Sequence, residues 1–143
     1  MNPVLRNFAC LVVAVVLNLF LANWLHIAWC EALINNRIFT VYGALISAGD
    51  LLSWLFYVVF FFASGLLLAS ALNSSRAWFW GLSLGVCYSL LVYFLGSEWI
   101  SPDAGLHVYL ARAGEYVMPP FGGFLGALIG SRLRSRRSDP NGR

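Results

Sequence analysis

Few residues in this 143-residue chain can do chemistry, and they are widely spaced. Asp103 and His107 stand four apart and would share one face of a helix. Two side chains at that spacing can begin a metal site, but a complete one needs three or four donors. The same pair also reads as an acidic first turn that complements a helix dipole, with a surface histidine one turn on. Arg112 and Glu115 follow at i, i+3, the spacing of an exposed ion pair of small energetic value. Earlier in the chain, Asn18, Asn23 and His26 fall within an arc of about 140° on a helix that turns about 100° per residue. They offer either hydrogen-bonding glue to a neighbouring helix or a polar pathway and ligand contact. Glu31, Asp50 and Glu98 complete the acidic set expected on the outer face.

No established motif organises these residues. There is no GxSxG, no HExxH, no phosphate-binding loop and no paired CxxC. The cysteines are Cys10, Cys30 and Cys87. On one helix Cys10 and Cys30 lie about 30 Å apart, too far to bridge, so each reads as a small apolar filler. Neither a metal nor a cofactor is expected.

Composition decides where these residues must operate. The chain is 60% hydrophobic and 10% charged, whereas soluble domains carry about 25% charged residues. Too few polar side chains remain to cover a surface in water, so the surface must face lipid. All nine basic residues are arginines, five of them from Arg132 onward. Beside a membrane helix that run reads as a topology anchor that attracts anionic lipid head groups, not as a nucleic-acid site. The N-terminal apolar stretch is about 20 residues long, beyond the 7–15 of a signal-peptide core, and reads as a retained span.

The expected fold is all-α, a polytopic bundle of four transmembrane helices in one domain, residues 1–133, followed by a basic tail, 134–143. The spans fall at about 8–29, 51–72, 77–95 and 116–133, with longer outer segments at 31–50 and 96–115. Asp50 reads as the N-cap of the second span. That span carries Phe56, Tyr57, Phe60, Phe61 and Phe62 and suits a lipid-facing helix. Segment 38–47 is too apolar for a free loop and too short to cross; it can lie at the interface, re-enter, or extend the second helix. Ser101-Pro102-Asp103 is a helix start, and Pro119-Pro120 is expected to kink the fourth span near its beginning. Gly81, Gly85 and Ser89 recur every fourth residue, as do Gly122, Gly126 and Gly130. Such small-residue rows let helices approach closely, so the fourth span is expected to pack on the third through these two rows.

Charge sets the orientation. Arg6, Arg76, Arg132, Arg134, Arg136, Arg137 and Arg143 fall on one side of the four-span arrangement, and Arg37 and Arg112 on the other. This bias puts both termini in the cytoplasm of a bacterial inner membrane and disfavours a dual-topology transporter. No ionisable residue lies mid-span, where proton relays and voltage sensors carry theirs. The leading expectation is a non-catalytic membrane subunit or accessory factor that packs against other membrane chains, or copies of itself, through its small-residue faces. The alternatives are a small homo-oligomeric, holin-like pore and a membrane enzyme with an outer-face site.

Overall fold

The computed structural model describes residues 2–35, 48–72, 76–95 and 105–138. Over these residues the chain is helical: α1 Pro3–Asn35, α2 Ala48–Ala71, α3 Ala77–Leu95 and α4 Leu106–Ser138. Three helices are long and apolar enough to cross a membrane, by segments Pro3–Ala32, Ala48–Ala71 and Ala77–Leu95. Large apolar side chains cover much of the outside, including Phe20, Trp24, Leu67 and Phe94, as expected of a surface that meets hydrocarbon.

The helices run up and down. α1 meets α2 antiparallel, with Asn18 beside Ser64 and His26 beside Tyr57. α4 runs parallel to α2, from Trp54 against Ala111 to Leu72 against Arg134. It runs antiparallel to α3, with Ser89 against Tyr116 and Gly81 against Gly123. α2 and α3 each pack far more extensively on α4 than on one another. Among the described residues α1 packs on α2 and α3 but not on the α4 backbone.

The close packing is distributed differently from the expected pairing of two glycine rows. Gly122, Gly126 and Gly130 face α2, against Val58, Phe62, Leu66 and Ala69. The stripe of α4 that faces α3 is Pro119, Gly123 and Ala127, offset by one residue; Gly81 meets Gly123 and Ala127, and Gly85 meets Pro119 and Pro120. α4 therefore carries two adjacent small stripes, one for each neighbour. At one level Gly65 of α2, Gly81 of α3 and Gly123 of α4 converge. A Cβ at either Gly65 or Gly81 would overlap the Gly123 carbonyl oxygen. The core beside this crossing holds Phe61, Leu68, Leu72, Leu84 and Tyr88.

Other expectations shift for identifiable reasons. Tyr57 and Phe61 are buried instead of lipid-facing: Tyr57 packs on His26 and Tyr88, and Phe61 on Tyr88 and against Gly122. Asp50 lies inside the first turn of α2, which begins at Ala48; an acid there still complements the dipole. α4 is one continuous helix through Pro119 and Pro120, and it continues past Leu133 to Ser138. The basic segment is thus partly helical, with the Arg134 guanidinium donating to the Leu72 carbonyl at the C-terminal end of α2, the end where a cation is favoured. Segment 38–47, residues 73–75 and Ser101–Asp103 lie outside the described residues.

Because the Cβ of residue 126 would overlap the Phe62 carbonyl within the same chain, Gly126→Ala should destabilise the isolated protein by about 1–3 kcal/mol, the usual cost of overpacking. Gly126→Leu should prevent folding before any question of assembly arises. Leu133→Ala, at an exposed position, should be near neutral. Thermal unfolding of the monomer in detergent would check the ranking.

Candidate functional site

The two consecutive prolines of α4 create a local demand. Pro120 has no N–H to give the carbonyl of residue 116, four positions back. In an apolar surrounding an orphaned carbonyl is costly. The Ser89 hydroxyl of α3 donates to the Tyr116 carbonyl at 2.8 Å and fills that vacancy. Ser89, singled out in the sequence only for its size, is here a hydrogen-bond donor. Its backbone neighbour one turn earlier, Gly85, lets α3 come close enough for the bond.

Around this point, at the end of the bundle where α1 ends and α4 begins, side chains from all four helices gather. Arg112 and Glu115 of α4 pair at 3.1 Å and are partly shielded, with 39% and 24% of their side-chain surface exposed. Asp50 of α2 lies within electrostatic reach of Glu115, and Arg112 within reach of His26. Tyr57 of α2 and Tyr88 of α3 are buried, with their ring centroids 6.3 Å apart. His26 of α1 has its ring centroid 4.8 Å from that of Tyr57 and its Nε2 3.5 Å from Cys30 Sγ, with Ser53 beside the thiol. The Trp54 indole N–H donates to the Ala111 carbonyl at 3.1 Å, and its ring fills the space that a Cβ at Gly114 would need.

The sequence-predicted residues separate in this geometry. His26, Arg112 and Glu115 join the cluster. His107 is exposed in the first turn of α4, and Asp103 lies outside the described residues, so their expected pairing has no geometry to report. Asn18 is buried, donating to the Ala14 carbonyl at 2.6 Å and accepting from the Ser64 hydroxyl at 2.7 Å. Asn23 is exposed on another side of α1. Asn18, Asn23 and His26 therefore do not form one polar stripe; an arc of about 140° between Asn18 and Asn23 is enough to turn one inward and the other outward. Tyr57, Tyr88, Cys30, Trp54 and Gly114 belong to the cluster and were not legible, since aromatics and a cysteine inside apolar runs carry no sign of a polar neighbour.

Among the described residues, no three His, Cys, Asp or Glu side chains come close enough together to hold a metal. Of the bonds in this cluster, that from Trp54 to Ala111 joins two helices, whereas Arg112–Glu115 and His26–Cys30 each lie within one helix. The chain matches no protein-family model, no curated protein and no solved structure.

The proline–serine pairing makes a specific prediction. Ser89→Ala should cost about 1–3 kcal/mol, the penalty for an unsatisfied buried acceptor. Pro120→Ala restores the N–H that the Tyr116 carbonyl lacks, so the Ser89→Ala, Pro120→Ala double variant should recover most of that loss. A double-mutant cycle by denaturant titration in micelles measures the coupling.

Proposed function

We propose that this chain is a four-span protein of a bacterial inner membrane, with both termini cytoplasmic, that serves as a non-catalytic subunit or accessory factor for other membrane chains. That α4 is a span is supported by its course: it accompanies α2, itself long and apolar enough to cross, from Trp54 to Leu72. Its small-residue composition and arginine-rich end lower its hydropathy, but small residues are what buried membrane helices use to pack. The orientation is supported by the excess of arginines on the side of the termini.

The observation that carries the subunit reading is the asymmetric attachment of α1. One narrow stripe, Asn7, Leu11, Val15, Asn18 and Ala22, faces inward. Most of the other side chains between Pro3 and Ala32 are exposed, Phe20 by 76% and Trp24 by 68%, while Cys10, Ala14, Leu19 and His26 are half-buried. The glycine rows of α3 and α4 are filled within the chain, so we assign the partner surface to α1 and not to those rows. Large exposed aromatics are the residue types that dominate interface energetics.

Gentle extraction followed by native mass spectrometry tests this. Other chains should accompany the 15.9 kDa protein at a fixed ratio. Phe20→Ala with Trp24→Ala should weaken that association about tenfold or more without moving the thermal midpoint, because neither ring is buried. A bare single chain, or a ring of identical copies, would overturn the reading.

A further inference from the structure

Between α1 and α2 a groove of about 630 Å³ runs from Arg6 to Leu21 on one wall and from Ala71 to Phe60 on the other. Its volume is in the range of small-molecule sites and far below what a transmembrane helix about 10 Å across would need. Along α1 it extends roughly 22 Å at 1.5 Å per residue, somewhat more than one leaflet of a hydrocarbon core about 30 Å thick. The lining is apolar except at a few points. Asn18 and Ser64 are bonded to each other at 2.7 Å, so they make no demand on an occupant. The charged residue of the lining is Arg6, exposed at the helix-end mouth. It stands in the first turns of α1, whose N-terminal dipole also favours an anion.

We propose that this groove seats an acyl chain of one anionic phospholipid, with the lipid phosphate at Arg6. A long, narrow apolar slot of leaflet depth selects an extended hydrocarbon chain. A single cation at its shallow end selects a negatively charged head group. The guanidinium offers paired N–H donors to a phosphate. This inference rests on α1 and α2 crossing the bilayer and is independent of any protein partner on the outward face of α1.

The test is native mass spectrometry of the purified full chain in neutral detergent, given equal amounts of phosphatidylglycerol and phosphatidylcholine with identical acyl chains. The wild type should retain one phosphatidylglycerol about fivefold over phosphatidylcholine, the preference expected of one surface arginine. Arg6→Gln should bring the ratio near one. Ala63→Trp, at an exposed groove position, should reduce retention of both lipids while leaving the thermal midpoint in place. Arg136→Gln with Arg137→Gln should leave the preference intact. Equal retention of the two lipids by the wild type would overturn the proposal. So would a preference that survives Arg6→Gln, one that vanishes with the tail substitutions alone, or displacement of a protein chain in place of lipid by Ala63→Trp.

Discussion

The closeness of α4 to both α2 and α3 is the constraint on which the bundle depends. A helix can serve two neighbours at backbone distance only if two of its faces lack side-chain bulk. α4 meets this with 122/126/130 on one side and 119/123/127 on the other, side by side on the same cylinder. The carbonyl of Gly123 then lies where Gly65 and Gly81 leave room for it. Without those absences Phe61, Leu84 and Tyr88 would have no lid, because α2 and α3 meet only slightly by themselves. In a lipid environment, where hydrophobic burial does little to hold helices together, such contact and a small number of hydrogen bonds supply most of the cohesion.

Those hydrogen bonds are distributed along the molecule from one end to the other. Asn18 with Ser64 ties α1 to α2 near the middle. Ser89 answers the carbonyl that Pro120 leaves open. Arg134 meets the end of α2, and Arg112 with Glu115 anchors the polar cluster at the opposite end. Each of these polar groups has its partner within the chain. His26 of α1 packs on Tyr57 of α2 and so joins two helices, whereas Glu115 pairs with Arg112 of its own helix.

The helical class was legible because long apolar runs bounded by turns leave little choice. The four-residue recurrence of the glycines was visible in the sequence. Which neighbour each row meets was not. Adjacent stripes on a helix differ by one residue, and Gly123 and Ala127 look like spacers when only Gly122 and Gly126 are counted. The continuity of α4 was hidden by Pro119-Pro120, since proline's penalty is local and the donor that offsets it, Ser89, lies 27 residues from the open carbonyl. The inward turn of Phe61 was equally hidden, because a ring suited to lipid is equally suited to a core.

The order of the helices along the chain has a consequence for biogenesis. α2 and α3 are synthesised before α4, yet the surface each must cover is supplied mainly by α4. Without α4, the Gly65 and Gly81 notches lack the Gly123 carbonyl that fills them, and the first three helices by themselves share few contacts. They become a defined tertiary structure when the glycine-lined helix arrives between them. Until then the surfaces of α2 and α3 that α4 covers have no partner within the chain.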